Sequence, residues 1–477
     1  MSLNPEFRRN LWLELTPQRL LLMPIILGLF FAIAAQMGSA ANDAIDRVGG
    51  IMFILLVVLW GCRRAAASVA GEVREGTWDW QRMSALGPWS MAWGKLLGST
   101  AFVWYGGIIC LAAMAYARSS QIPGDLLALH LASTVMAALI GQSVSLAACL
   151  AWLRKTRPTR RLPVTLCHIF GLIVAYGFME WGFWERMLYV AQSGDTASLV
   201  DHYRRPILWY GLSLEATTFR LLSLAAFLGW SLLAVHRLMR AELQVKQWPW
   251  AWLAFTLFLA LYANGFLVAG CAACGDSPFW SAFLGFVIAV AGAYLALFLE
   301  AKDVVRLRGL RAALGVGTWG RALTLTPTWL PATGLAGFFG VLAMAASGTI
   351  PPLDWASSYK DLLSAPNPAA ISAGILSQLA FLMRDFALVV GLNLSERRKR
   401  ADLAALVYLL VLYGLVPVLL QTIGLDWAWV AFWPFDPNHP WLNLALAAAQ
   451  AGIAIAFMAW RWGRLQATLL APRPSGE

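Results

Sequence analysis

The chain has 477 residues, of which 60% are hydrophobic and only 13% are charged. A water-soluble domain carries about 25% charged residues, so this composition excludes an ordinary soluble protein and indicates long apolar stretches that face lipid. The 25 Trp residues agree with a membrane protein, because indole rings collect at the level of the lipid headgroups. The net charge of +11 does not indicate a nucleic-acid partner, because the basic residues lie in short loops between apolar stretches.

Residues 1–20 carry several charges, and no early small-residue cleavage site follows them, so we expect no cleavable signal peptide. Phe7, Leu11 and Leu15 recur at the spacing of one helix face and predict an amphipathic helix at the start of the chain. Residues 302–314 predict a second such helix, lying on the membrane surface, because arginines alternate there with Val and Leu side chains that collect on one side.

Apolar stretches found with a window of about 19 residues predict about twelve transmembrane helices in an all-α polytopic membrane protein. They lie near residues 20–37, 48–63, 95–117, 127–152, 163–183, 213–235, 250–270, 279–299, 329–346, 369–392, 403–422 and 441–460. Every second connecting loop is rich in Lys and Arg: 63–82, 154–161, 236–246, 302–321 and 397–400. Since basic loops stay in the cytoplasm, this alternation predicts that both termini are cytoplasmic in a multi-pass protein of the bacterial inner membrane.

Residues 70–95 follow the second predicted span and combine charged and aromatic side chains with two turn signals. Gly76-Thr77 is expected to break or cap the preceding helix, and Gly87-Pro88 is expected to turn the chain before Gly94-Lys95 re-enters the membrane. We expect Trp78, Trp80 and Met83 to form one apolar face. A short rigid helix with charged and aromatic sides toward the cytosol is suited to docking on a soluble partner.

The order Glu, Gly-Thr, Leu, Pro and Gly-Lys in this segment resembles the coupling region of type-2 ABC exporter permeases. The matching positions are Glu75, Gly76, Thr77, Leu86, Pro88, Gly94 and Lys95. The segment also lies where that family carries it, after an interfacial helix and two spans. The resemblance covers about residues 1–240, which we interpret as a six-span permease unit.

This resemblance implies a coupling helix that sits in a cleft of a separate ABC ATPase subunit and passes ATP-driven closure to the spans. The residues that it assigns to ATPase coupling are Glu72, Arg74, Glu75, Gly76, Thr77, Trp78, Trp80, Leu86 and Pro88. It also implies alternating access, a homodimer or a second permease subunit, and export of lipids, glycans, peptides or drugs. We expect ATP and Mg²⁺ to bind only the partner, since Gly87 to Lys95 lacks the spacing and the Ser or Thr of a phosphate loop.

The second half, residues 241–477, is predicted to form another six-span bundle. Residues 391–410 lie between two spans much as the coupling segment does, but they lack its Gly-Thr and Pro. The second bundle is therefore either a degenerate repeat of the first or an accessory bundle.

Five ionisable residues lie within or beside the apolar stretches, where an unpaired charge is costly. Arg384 and Asp385 fall in the tenth span, and since adjacent residues point about 100° apart on a helix, we expect them to pair with other helices rather than with each other. Glu180, Glu215 and Arg220 flank the predicted outer segment 184–212. For all five, a functional role and simple pairing between helices both stay open.

Cys271 and Cys274 form a CAAC sequence in a predicted outer loop and are expected to be a disulfide or free thiols. A metal site there lacks further His or Cys ligands, so none is predicted.

Two other functions fit the same sequence. A membrane enzyme, such as a lipid-linked glycosyltransferase or ligase, would use polar residues of the outer segment: Asp195, Asp201, His202, Arg204 and Arg205. A non-transporting membrane anchor for an ATPase would use the same coupling segment as a permease. A permease with no catalytic residues of its own is the leading prediction, and we expect its partners to be an ATPase, another permease chain and membrane lipid.

Overall fold

A computed structural model describes most of the chain, in nine stretches. They are residues 4–84, 86–156, 163–179, 206–245, 247–270, 277–349, 367–394, 401–433 and 439–470. The chain divides into two compact units. The first comprises Met1–Ile207 and Leu212–Gln247, and the second comprises Leu208–Gly211 and Trp248–Glu477.

The first unit contains ten α-helices in its described residues. They are α1 (Pro5–Glu14), α2 (Pro17–Ala35), α3 (Ala41–Phe53), α4 (Gly61–Glu75), α5 (Trp78–Arg82), α6 (Pro88–Gly98), α7 (Ala101–Arg118), α8 (Gly124–Thr156), α9 (Val164–Met179) and α10 (Ala216–Glu242). Strands β1 (Pro206–Trp209) and β2 (Leu212–Glu215) pair before α10. Their two-residue turn has positive φ at Tyr210 and Gly211, which matches the right-handed twist of a hairpin.

From Trp248 onward, the described elements of the second unit are all helical. They are α11 (Trp250–Gly270), α12 (Pro278–Leu299), α13 (Val304–Gly315), α14 (Trp319–Leu325), α15 (Trp329–Ala345), α16 (Pro368–Asn393), α17 (Ala401–Leu410), α18 (Val416–Thr422) and α19 (Pro440–Leu470). Its core is built from the facing sides of α12, α15 and α16, where small residues such as Ala289, Ala293 and Ala336 are fully buried. Small side chains let helices approach closely in lipid, where packing rather than hydrophobicity drives association.

Ten helices in the described residues are long and apolar enough to cross a membrane, and an eleventh span results if the bent pair α14–α15 counts as one. The shorter apolar helix α9 lies at the predicted fifth span. Each predicted apolar stretch thus coincides with a helix, which confirms an all-α polytopic membrane protein. The second and eleventh predicted spans each contain a π-helical segment, at Ile54–Trp60 and Val411–Leu415.

The first π-helical segment joins α3 and α4 into one long helix and has a dedicated partner on α8. The buried Gln142 donates from Nε2 to the carbonyl of Val57 at 2.9 Å and accepts from Trp104 Nε1 at 3.0 Å. Gly61 makes room for this amide, since a Cβ there would lie 2.4 Å from Gln142 Nε2. A side-chain donor thus satisfies a carbonyl within the altered hydrogen-bond ladder of a π-helical segment.

Candidate coupling site

The segment after α4 folds as a short helix between two turns. Helix α4 ends at Gly76, whose φ of 75° is left-handed, and Thr77 N donates back to the Glu72 carbonyl at 3.0 Å. This is the hydrogen-bonding pattern of a glycine-terminated helix. Pro88 then takes the first position of α6, where its missing N–H costs nothing. Both predicted turns are confirmed, and they isolate the five-residue helix α5.

The two tryptophans of α5 face opposite ways. Trp78 is 4% exposed and packs into a core cluster with Val73, Met91 and Leu150, whereas Trp80 is 76% exposed. Residues two apart on a helix point about 200° from each other, so one indole faces inward when the other faces out. The expectation of a single apolar face through Trp78, Trp80 and Met83 was therefore wrong: Trp80 and Met83 are exposed, and Trp78 fixes α5 to the unit.

A group of polar and charged side chains lies next to α5, with Glu6 and Lys95 buried, Glu72 and Gln81 half-buried and Arg9 exposed. Lys95 of α6 is 1% exposed, and its Nζ bonds Glu72 of α4 and, at 3.2 Å, Glu6 of α1. Arg9 also pairs with both carboxylates, and Gln81 of α5 donates to Glu72. We call Glu6, Arg9, Glu72, Gln81 and Lys95 the charged cluster. Two carboxylates and two cations balance, which is what allows ionised groups to be buried.

Lys95 also lies over the indole of Trp78, with Nζ 5.2 Å from the ring centroid. A cation over an indole face is attracted to the ring, and the attraction is larger when both are desolvated. Lys95 thus connects the inward side of α5 directly to the charged cluster.

Helix α1 reaches this cluster because α6 offers it two glycines. A Cβ on Gly94 would lie 2.6 Å from Glu6 Cβ, and one on Gly98 would lie 2.7 Å from Asn10 Cβ. Asn10 Nδ2 also donates to the Gly94 carbonyl at 3.2 Å. Glycines four residues apart allow close helix approach in membrane proteins, and here they bring a polar stripe of α1 onto α6.

The far end of α5 is held by the last turn of α10. Arg82 Nε donates to the Glu242 carbonyl at 2.9 Å, and Leu86 packs beside the core cluster around Trp78. Helices α4, α6 and α10 therefore all contact α5 directly. The side chains left exposed around it are Arg74, Glu75, Thr77, Asp79, Trp80, Met83 and Ser84.

The residues assigned to ATPase coupling separate into two groups. Arg74, Glu75, Gly76, Thr77 and Trp80 are exposed. Glu72 and Trp78 point inward, and Leu86 and Pro88 are half-buried. Sequence reasoning missed Glu6, Arg9 and Gln81 as partners of this segment. A signal existed for Glu6, since Glu6, Asn10 and Glu14 share the spacing of one helix face, beside the apolar stripe that was noticed.

Arg384 and Asp385 form a second buried polar group, in the other unit. Arg384 Nε donates to Asp385 Oδ1 at 2.8 Å, so the expectation that these neighbours would not pair was wrong. The arginine side chain is long enough to reach the neighbouring carboxylate, although the two residues point about 100° apart on the helix. Both also bond other helices as expected: Arg384 donates to Gln450 at 2.6 Å, and Asp385 accepts from Tyr294 at 2.6 Å and Tyr413 at 2.7 Å.

The remaining predicted site residues lie apart from these groups. Glu215 is exposed just before α10, and Arg220 within α10 donates to the Met179 carbonyl at 3.1 Å. This bond is the helix-to-helix pairing that had been left open for Arg220. Glu180, Cys271 and Cys274 lie outside the described residues, as do the polar residues 195–205 considered for an enzyme.

No protein-family model matches the sequence, and neither characterised proteins nor solved structures gave a match. The described geometry is that of a multi-pass, predominantly α-helical membrane protein in which a short helix with an exposed side contacts a partly buried charged cluster.

Proposed function

We propose that this chain is the permease subunit of an ATP-binding-cassette exporter in the bacterial inner membrane, and that a separate ATPase docks on the exposed side of α5. The observation that carries the proposal is the division of residues 70–95 into an exposed and a fixed side. Trp80 projects outward at 76% exposure, while Trp78 and Glu72 connect the same short helix to the charged cluster and its buried Lys95. An exposed aromatic on a rigid support suits recognition by a soluble partner.

The contacts of α5 suit the transmission of force. A push on Trp80 moves a helix whose inward side bonds α4 through Glu72 and α10 through the Glu242 carbonyl. Glu72 in turn bonds Lys95, which continues through α6 toward α7. Domain closure in a partner would thus be delivered to several membrane helices as a rigid-body movement, as alternating access requires.

In this proposal ATP and Mg²⁺ bind the partner ATPase, and the chain itself catalyses no reaction. Two permease units complete the pathway, supplied by a homodimer or by a second permease chain. Residues 1–240, which resemble the six-span permease unit, contribute one of them. The second bundle is a degenerate repeat or an accessory bundle.

The test is copurification of the full tagged chain from its native membrane in mild detergent, with ATP hydrolysis measured in the eluate. The variant Trp80→Ala/Met83→Ala removes two exposed side chains without touching the charged cluster. The matched control is Trp319→Ala, which removes an indole that is 70% exposed on another short helix. We expect a soluble ATPase to accompany the parent and the control, and to fall about tenfold in the variant.

Equal recovery of an ATPase with all three proteins would move the docking site away from α5. Recovery of none, under detergent conditions that keep known exporters assembled, would contradict the permease proposal.

A further inference from the structure

Helices α13 and α14 connect the apolar helices α12 and α15. Helix α12 ends at Leu299 and α13 begins at Val304, while α14 ends at Leu325 and α15 begins at Trp329. The axis of α14 is bent by 96° from that of α15. Because α15 is apolar enough to belong to a span, a helix perpendicular to it runs along the membrane plane.

A partly buried set of bonds fixes this pair of helices to the ends of α12 and α15. Arg306 pairs with Glu300 and donates to the carbonyls of Leu325 at 3.0 Å and Thr326 at 2.7 Å. Glu300 also accepts from the N–H and the hydroxyl of Thr328, at 2.6 and 2.7 Å. These bonds close the loop between α12 and α15, so α13 and α14 form a rigid element rather than a loose loop.

The turn between the two helices is built by Gly317. Its φ of 75° is left-handed, and Thr318 N donates to the Ala313 carbonyl at 2.9 Å. The turn leaves Val316 and Trp319 exposed side by side. Two large apolar side chains at such a position are suited to the edge of the hydrocarbon layer.

Three arginines on this element form no bond to another described side chain. Arg308 and Arg311 lie one turn apart on the exposed side of α13, and Arg321 is exposed on α14. No ion pair or hydrogen bond occupies them within the described residues. The exposed acidic side chain nearby, Asp303, caps the first turn of α13 by accepting from Val305 N at 2.9 Å. The exposed surface of the element is therefore strongly cationic and flanked by Val305, Val316 and Trp319.

We propose that α13 and α14 bind anionic phospholipids of the adjacent leaflet through Arg308, Arg311 and Arg321. Cationic guanidinium groups are attracted to the negative charge of lipid phosphates, and arginine stems extend along apolar surface while the charged head stays in the headgroup layer. Val316 and Trp319 insert beside the acyl chains, as apolar residues do in basic interfacial helices. This inference depends on membrane insertion alone and is independent of the proposed transport function.

The experiment measures binding of a fluorescent phosphatidylglycerol to the purified full chain in neutral detergent, by anisotropy. The variant Arg308→Gln/Arg311→Gln/Arg321→Gln is compared with a control that removes the same charge from exposed arginines elsewhere, Arg8→Gln/Arg47→Gln/Arg63→Gln. A basic side chain near an anionic surface contributes about fivefold in affinity, so the variant should bind at least about tenfold more weakly than the parent. The control and a triple Arg→Lys variant at 308, 311 and 321 should stay within about threefold, because the attraction is electrostatic.

Competition distinguishes a lipid from a free anion. Unlabelled phosphatidylglycerol should displace the probe, whereas phosphatidylcholine and glycerol phosphate should not at the same concentration. Equal loss in the variant and the control would overturn the proposal, as would displacement by glycerol phosphate alone. An ATPase lost from the triple Gln variant with unchanged lipid binding would also overturn it, and would assign this surface to the partner subunit instead.

Discussion

The Lys95 side chain is almost inaccessible to solvent and forms ion pairs with two carboxylates, so its substitution should be costly. We expect Lys95→Met to lower the free energy of unfolding by about 3 kcal/mol, since removal of one partner leaves buried charge uncompensated. The apparent Tm of the detergent-solubilised chain, followed by intrinsic fluorescence, should fall by about 5 °C or more. Lys95 bonds both Glu6 and Glu72, so the loss is shared by α1 and α4.

Two further variants test whether the loss of stability comes from the stranded carboxylates. Arg74→Met removes an exposed cation from the end of α4 and should leave the Tm within about 1 °C, as surface substitutions usually do. Adding Glu72→Gln to Lys95→Met should recover part of the loss, because one of the two stranded carboxylates becomes neutral. A Tm unchanged by Lys95→Met would mean that the charged cluster is open to water.

Residue-level prediction succeeded where the signal is local and failed where it is distant. Gly76 and Pro88 mark turns through their own backbone preferences, so both ends of α5 were predictable. Lys95 could be matched to a motif, but its partner Glu6 is 89 residues away, and one sequence carries no sign of that pairing. The opposite orientations of Trp78 and Trp80 follow from helix geometry, since residues two apart point about 200° from each other, whereas aromatic composition alone does not distinguish them.

At the scale of elements, the close approach of α1 and α6 is the contact most open to test. Gly94→Ala places a Cβ 2.6 Å from Glu6 Cβ, so α1 must shift away and weaken the charged cluster. We expect a loss of about 1–3 kcal/mol, the usual cost of overpacking. It is measured as a lower apparent Tm and as faster proteolysis of α1 in detergent.

Gly87→Ala is the matched control for this contact. No heavy atom lies within 4 Å of a Cβ built there, and its φ of −67° suits alanine. It should leave both measurements unchanged. An equal effect of the two substitutions would attribute the loss to chain flexibility rather than to the contact with α1.

The extents of the helices could be predicted from hydropathy, whereas their internal geometry could not. Twenty or so apolar residues leave few alternatives to a membrane helix, so each predicted stretch coincides with one. The π-helical segment at Ile54–Trp60 depends on Gln142 of another helix, and the 96° bend before Trp329 depends on bonds to Glu300. Such features arise from tertiary partners, which hydropathy does not report.

For the whole molecule, the alternation of basic loops predicts which connections face the cytoplasm. One added cysteine at each of two exposed positions tests it: Met83→Cys after the second predicted span and Ser120→Cys after the third. In the background, Cys271 and Cys274 are Ser, and the other four cysteines are buried. A membrane-impermeant maleimide should label Ser120→Cys in cells whose outer membrane alone is permeable. Met83→Cys should react only after the inner membrane is opened. The reverse pattern would invert the topology and exclude a cytoplasmic ATPase from α5.

The close fit of α1 on α6 has a consequence for biogenesis. Glu6 is synthesised 89 residues before Lys95, which at about 5–20 residues per second is an interval of roughly 4–18 s. During that interval α1 lacks both the Lys95 cation and the glycine surface of α6 against which it packs. We therefore expect α1 to stay in the headgroup layer while α2, α3 and α4 enter the membrane. Helix α1 can therefore reach its final position only after α6 has been synthesised. A pause in translation before residue 95 would prolong the exposure of α1 to proteases.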